Sequence, residues 1–364
     1  MFLGRPEKDT RPSWRYAIPL LVAIAVFVGY SVMQDGVWLR ARNDFSMLYL
    51  SGELQPQGKI YDSQAMFLAQ ERLFGAHSEA LLFTRPAFYS LYFVPLAKLP
   101  YLKAYGIYLL LQLLLLSIWF KMTWTSYPKL VLAAGVSLPL LLALGNGQDV
   151  PMATALCGIA WLWLDKRPFV AGLVLSLCAI KFHLFLLVPF ALARFGRWRT
   201  LAGGVTGGLV LFALCFVADG PHWMEHYRHT LETKAIDSIV SQAGNIRALT
   251  DALFLPPALD AWLLGIGLLG CLGLIWRSQT VEEGLIYAIA GVLLFNWHSF
   301  LQDFTLLLTI VPWVSRMGLT VWADRAWRLV LSPLPYVAAM PGAPFSALLP
   351  LSMLAFLKLS SSAK

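Results

Sequence analysis

Asp44, in the segment Asn43-Asp44-Phe45, lies about ten residues beyond the first long apolar run of the chain. A carboxylate at the mouth of a bilayer cavity can take the proton of a hydroxyl group as its oxygen attacks an electrophilic carbon. Glu53, Tyr61 and Asp62 follow in the same loop, and a solvated loop acid fits the composition equally well. Four further places carry polar groups that apolar sequence does not explain, and charges inside membrane segments are costly enough to be read first as functional. Arg85, in Thr84-Arg85-Pro86, suits either an interface anchor or a phosphate ligand, because guanidinium is a planar fork of donors. Gly145-Asn146-Gly147-Gln148-Asp149 reads as a hairpin turn or as a ligand contact. Lys181, in Lys181-Phe182-His183 within the apolar stretch from Phe169 to Leu192, must snorkel, lose its proton or meet an anion such as a lipid phosphate. His298 and Asp303 follow Asn296 and Trp297 between two apolar runs, where a turn can bring them to one face and where an interfacial Trp is also ordinary.

The elements that must position these residues are membrane helices. The 364-residue chain is 58% hydrophobic and 13% charged, with a mean hydropathy of +0.65, which describes an all-α polytopic membrane protein. Spanning segments must satisfy their backbone internally, and about 11–13 runs approach the length that a hydrocarbon core of roughly 30 Å requires. Expected spans include 16–33, 103–121, 129–145, 147–164, 200–218, 258–276, 281–297 and 299–315, with two more in 326–359. The net charge of +8 comes from short Lys and Arg clusters between the runs, which fits membrane topology and not nucleic acid. Cys157, Cys178, Cys215 and Cys271 all fall within apolar runs, so no disulfide framework or metal cluster is implied.

Arg5, Lys8, Arg11 and Arg15 precede the first run, placing the N-terminus in the cytoplasm and the Asp44 loop outside. The segments 84–100 and 168–193 admit two threadings. If both cross once, Lys121, Lys129, Lys166 and Arg167 lie outside, against the charge rule; if 168–193 dips in as a hairpin and 84–100 stays at the outer face, they lie inside. We favour the hairpin. Within one integral membrane domain, 1–364, two outer loops at about 34–85 and 219–257 are then expected to cover a cavity. Asn43 and Ser63 are placed to cap interfacial helices in the first loop.

Two motifs point elsewhere. Gly265-Ile266-Gly267-Leu268-Leu269-Gly270 matches a dinucleotide fingerprint but lacks a preceding strand, so it reads as small-residue helix packing. His222-Trp223-Met224-Glu225-His226, with His229 beyond it, has the H-x-x-E-H spacing of a zinc-protease class, yet lacks a convincing third ligand. A membrane zinc hydrolase is therefore a minor alternative, and no metal site is assigned.

The order of segments over about 40–315 resembles glycosyltransferase family 87, GT-C enzymes that use polyprenyl-phosphate mannose. Asp44-Phe45, Ser51-Gly52 and Ile60-Tyr61-Asp62 resemble the family's D-F, A-G and Y-D loop. Arg85-Pro86-Ala87-Phe88 and Val94-Pro95-Leu96-Ala97-Lys98-Leu99-Pro100 are similar to its Y-P-P and P-L-A-x-L-P elements. Gly145-Asn146-Gly147-Gln148 resembles its G-Q turn, Lys181-Phe182-His183-Leu184 with Pro189 its K-P-Q-L element, and His298 with Asp303 its late H-x(4)-D motif. Arg85, Ala87 and Phe182-His183 depart from that pattern, which bears on donor specificity. The resemblance implies a GT-C-like bundle that transfers a sugar, mannose or another hexose, with inversion from a polyprenyl-phosphate carrier to a lipid or glycan acceptor. The expected setting is the extracytoplasmic face of a bacterial-type inner membrane. It implies Asp44 as general base, Lys181, Arg85 and Arg247 at the donor phosphate, and His298, Asp303, Asn146, Gln148, His183 and Tyr61 orienting acceptor or sugar. No cofactor beyond the donor substrate is expected, and dependence on a divalent cation is left open. A non-catalytic transporter or lipid-carrier binding protein of the same fold is the alternative; a transporter predicts internal repeats, and none is evident.

Overall fold

The computed structural model describes residues 43–75, 81–124, 126–135, 137–232, 243–340 and 344–361. The expected first span, 16–33, and Arg5, Lys8, Arg11 and Arg15 lie outside them. All helices and turns of the described residues belong to one all-α membrane architecture, whose one strand-like contact is an isolated bridge between Ala243 and Phe300.

Helix α1 (Phe45–Leu54) and helix α2 (Ser63–Phe74) lie in the first loop. The N-cap of α1 is Asp44 and not Asn43, whose Oδ1 accepts from Phe45 N at 3.1 Å just ahead of the helix. The cap of α2 is Asp62 and not Ser63, because the Asp62 carboxylate accepts from Gln64 N and Ala65 N, both at 3.0 Å. The segment 84–100 contains short 3₁₀ turns, Ala87–Tyr92 and Leu96–Lys98, between prolines, so it forms no membrane-length helix. Helix α3 (Tyr101–Trp124) is followed by two short helices, α4 (Pro128–Gly135) and α5 (Leu138–Gly145). The expected span 129–145 is split there because Ser137 turns extended and caps α5, with Pro139 at its start.

Helix α6 (Val150–Trp163) leads to α7 (Pro168–Ser176), a 3₁₀ stretch (Leu177–Phe185), α8 (Val188–Arg194) and α9 (Trp198–Asp219). Beyond α9 lie α10 (Trp223–Leu231), α11 (Ile246–Ala252), α12 (Ala258–Arg277) and α13 (Val281–Leu294). The expected span 299–315 is a 3₁₀ segment (Leu301–Thr309) continued by α14 (Val311–Val314), and α15 (Val321–Leu331), α16 (Leu334–Ala339) and α17 (Leu348–Ser361) follow. Among the described residues, four segments are long and apolar enough to cross a membrane: Tyr101–Thr123, Pro168–Phe185, Trp198–Asp219 and Ala258–Arg277. At 22 residues, α9 is about 33 Å long, matching a hydrocarbon core.

Close helix packing settles the threading of 168–193. A Cβ built on Gly172 would lie 1.9 Å from Thr200 O, one on Gly203 would lie 2.0 Å from Phe169 O, and one on Gly207 would lie 2.1 Å from Ser176 Oγ. Sequence number rises together along both partners, so α7 and α9 run parallel. The chain between them therefore returns to the end it left, as a hairpin. Arg197 meets Asp165 at 2.7 Å at that end. Helix α3 also runs parallel to α6, since Gln112 bonds the Gln148 backbone and Trp119 packs on Gly158. Lys121, Lys166, Arg167, Arg194 and Arg197 consequently gather at one end of the bundle. At the other end, Gln55 of the first loop donates to Ala218 O at 3.2 Å.

The contact at Gly172 yields a stability test. Gly172→Ala forces α7 and α9 apart and is expected to cost about 1–3 kcal/mol, whereas Gly270→Ala, in open space on α12, stays within about 0.5 kcal/mol. Thermal unfolding in detergent compares the two.

Candidate active site

Asp44 is fixed from both sides of the peptide chain. Its N–H donates to Asn146 O at 3.1 Å, and the preceding Asn43 amide donates to Gly145 O at 2.8 Å and to the Tyr105 hydroxyl at 3.1 Å. The turn after α5 can approach this closely because residue 147 is glycine. Gly147 has φ +61°, and a Cβ there would lie 2.7 Å from Phe45 Cβ. Gln148 N then bonds back to Ala143 O at 2.9 Å, and Gln148 O accepts from Gln112 Nε2 at 2.9 Å. These contacts aim the Gln148 side chain at Asp44, whose Oδ2 accepts from Gln148 Nε2.

The other end of the same amide meets two cations. Gln148 Oε1 accepts from Lys181 Nζ at 2.9 Å and from Arg85 Nη2 at 3.4 Å. Arg85 is buried and clamps Asp149 in two places, Nε to Oδ2 at 2.5 Å and Nη2 to Oδ1 at 3.1 Å. Its Nη1 donates to Thr84 Oγ1 at 3.0 Å, and its carbonyl accepts from Tyr61 Oη at 2.7 Å. Lys181 Nζ lies 2.6 Å from Asp303 Oδ1 and 3.6 Å from Asp149 Oδ1. The helix path is broken at Lys181, with φ −130° and ψ 53°, which turns the ammonium inward. Asn296 Nδ2 satisfies the carbonyl freed at His183, at 2.8 Å. Asp303 Oδ2 accepts from Phe300 N at 3.0 Å, so both of its oxygens are engaged.

The structure thus brings Asp44, Arg85, Gln148, Lys181 and Asp303 into one connected set, with Tyr61 against the backbone of Arg85. Asn146 meets Asp44 through its main-chain carbonyl. His183 lies within electrostatic range of Asp303, Lys181, Arg85 and His298, and the main-chain N–H of His298 donates to Asn296 Oδ1 at 3.0 Å. Arg247 stands in a separate cluster, 3.5 Å from Asp260 and stacked on the Trp297 ring at 4.3 Å. Asp149 was missed as a site residue in the sequence, although it adjoins Gln148 in the turn. Gln112, a lone amide in an apolar span, was the second missed signal. In the H-x-x-E-H segment, His226 pairs with Asp219 at 2.8 Å and His222 lies 3.7 Å from Glu225. Among the described residues no three His, Cys, Asp or Glu side chains are grouped to hold a metal.

Asp44 combines partial accessibility with a perturbed carboxyl. Desolvation raises its pKa above the ordinary value, against the lowering influence of Arg85, the Gln148 hydrogen bond and Lys181, while Asp149 pushes it further up. Three carboxylates face two cations, so the set carries one surplus negative charge when all are ionised.

A helical membrane protein with a polar, charge-dense site enclosed at one end defines the class; the sequence comparison supplies the family. Residues 83–349 match the model of glycosyltransferase family 87, and the chain belongs to that family. It is therefore a membrane glycosyltransferase. The matched segment contains Arg85, Gln148, Asp149, Lys181 and Asp303 and begins after Asp44, whose link to them is the contact with Gln148. No curated protein and no solved structure matches the chain.

Removing one member of the buried Arg85–Asp149 pair leaves an uncompensated charge. Asp149→Ala is expected to destabilise the protein by about 3–5 kcal/mol. Breaking the exposed Arg328–Asp324 pair with Asp324→Ala is expected to cost about 1 kcal/mol or less. Denaturation of the two purified variants in the same detergent tests the difference.

Proposed function

We propose that the protein is an inverting transferase that moves a hexose from a polyprenyl-phosphate carrier to a lipid or glycan hydroxyl, with Asp44 as general base. The observation that carries the reading is the placement of Asp44: accessible in part, oriented by Gln148, and one amide away from Lys181 and Arg85. In the reaction the acceptor oxygen bonds to the anomeric carbon, and its proton passes to Asp44. The bond from the anomeric carbon to the phosphate oxygen breaks, and its electron pair leaves with the phosphate.

Lys181 is the cation we assign to the developing phosphate charge. Its ammonium has three N–H groups, of which two are taken at hydrogen-bond distance by Gln148 and Asp303, while Asp149 stands at 3.6 Å. Arg85 spends its donors on Asp149, Gln148 and Thr84 and serves to hold the site together. We place the basic end of the bundle in the cytoplasm on the positive-inside rule. The Asp44 end then faces outward from a bacterial-type inner membrane, where lipid-linked sugars are the donors available without nucleotide sugars.

Asp44→Asn is expected to lower transfer from radiolabelled polyprenyl-phosphate hexose by roughly 10²- to 10⁴-fold; wild-type turnover by that variant would refute the assignment. Because a base must be ionised and this one is raised, transfer should fall as pH drops through a midpoint above the ordinary carboxylate value of about 4. Stability has the opposite sign: a raised folded-state pKa stabilises the fold at low pH and loses that contribution as pH rises. Asp44→Asn should accordingly melt at or above the wild-type temperature at neutral pH while losing transfer.

A further inference from the structure

We infer that Gln148 is a positioning residue that fixes which oxygen of Asp44 meets the acceptor and keeps that carboxylate ionised, by relaying the charges of Lys181 and Arg85 across its amide. The inference deepens the reading of Asp44 as base and rests on it for its catalytic consequence alone.

A glutamine amide has nearly the same shape in its two flipped orientations, and its chemistry decides between them. Here the decision is forced. Lysine and arginine can only donate, so the end facing Lys181 Nζ and Arg85 Nη2 must be the carbonyl oxygen. The NH₂ group is thereby turned onto Asp44 Oδ2. A flip would set N–H against two cations and a carbonyl oxygen against a carboxylate. The main chain offers no slack either, since Gln148 N, Gln148 O and the neighbouring Asn146 O are each bonded. Two cations drawing on Oε1 polarise the amide and make its N–H a stronger donor, as in other hydrogen-bond chains of low-dielectric interiors.

Two consequences follow for Asp44. Oδ2 is committed to Gln148, which leaves Oδ1 for the attacking hydroxyl. Ionisation is also supported without direct ion pairing, because neither cation touches Asp44: both are bonded to Asp149 or Asp303. Direct pairing with Lys181 or Arg85 would favour the ionised form more strongly, but it would also make the carboxylate a poorer base. The groups acting on Asp44 are Arg85, Gln148, Lys181 and Asp149, together with Tyr101, whose hydroxyl lies within electrostatic range.

The test is an infrared titration of the Asp44 carboxyl in purified full-length protein, with Asp44→Asn as the subtraction reference, alongside the pH profile of transfer. In Gln148→Met, which keeps the volume and removes the amide, the Asp44 midpoint should rise by about one pH unit or more, the shift that a lost hydrogen bond to a charged group gives. The acid limb of transfer should move with it. Gln148→Glu should move both further, because a second carboxylate then faces Asp44. A midpoint unchanged in both variants, at wild-type melting temperature, would overturn the inference even if transfer fell, since a sugar contact or a packing role lowers turnover without moving the titration. If Gln148→Met does not fold, Gln148→Glu alone decides, because it keeps a hydrogen-bonding group of the same length. Transfer that survives Asp44→Asn would overturn the base assignment and leave the infrared result standing.

Discussion

The ammonium of Lys181 is the point on which the site depends. A charged lysine within a membrane helix bundle is tolerable only with counter-charges and completed hydrogen bonds. The chain meets that demand by unwinding the helix at Lys181 and drawing Asp303, Asp149 and Gln148 to it. These come from two separate parts of the fold. Asp303 lies in the first turn of the 3₁₀ segment after α13, while Gln148 and Asp149 are neighbours in the turn before α6 that also anchors Asp44. The break is repaired locally, with Asn296 taking the carbonyl of His183 and Asn245 donating to Asn296 O at 2.6 Å. One buried cation therefore fixes the relative positions of the helix break, the turn and the second outer loop.

Charge counting explains why Asp44 differs from its neighbours. Asp149 and Asp303 have both oxygens engaged by cations or by backbone N–H, which is what a buried carboxylate needs in order to be structural. Asp44 has one oxygen on a neutral amide and is the only one of the three with appreciable exposure. It is the member of the set for which gaining and losing a proton disturbs no ion pair. In the role proposed for it, such a carboxylate would act repeatedly while the surrounding charges stay in place.

Much of this site was legible because a membrane makes polar residues conspicuous. Lys181, Gln148 and Asp303 stand out in apolar sequence, and the structure connects all three. Asp149 was obscured because Gly-Asn-Gly-Gln-Asp also spells an ordinary turn, and no single-residue rule separates the amide that contacts Asp44 from the acid beside it. The resemblance grouped Arg247 with the other cations, yet Asp260, at the start of an apolar helix, had the complementary charge. Helix boundaries were less legible than helix content. Apolar periodicity sees 129–145 as one run, whereas Ser137 and Pro139 divide it; likewise 299–315 reads as one mostly apolar run but is wound as 3₁₀ over Leu301–Thr309.

The threading of 168–193 shows how small residues carry information that hydropathy lacks. A hydropathy profile accepts a single crossing or a hairpin, since both bury the same apolar side chains. The glycines discriminate. Gly172, Gly203 and Gly207 permit backbone-to-backbone approach only if α7 and α9 lie parallel at that register, and a parallel pair so close in sequence requires the intervening chain to turn back. The hairpin brings Arg194 and Arg197 to the level of Asp165 and Arg167, with the Arg197–Asp165 pair tying the start of α9 to the turn before α7, while its tip carries Lys181 to Gln148. A single crossing would send Arg197 to the Asp44 end and break the helix contact that the glycines make. Small residues in α7 and α9 thus decide the position of a lysine whose own polar partners, Gln148, Asp303 and Asp149, lie on other elements.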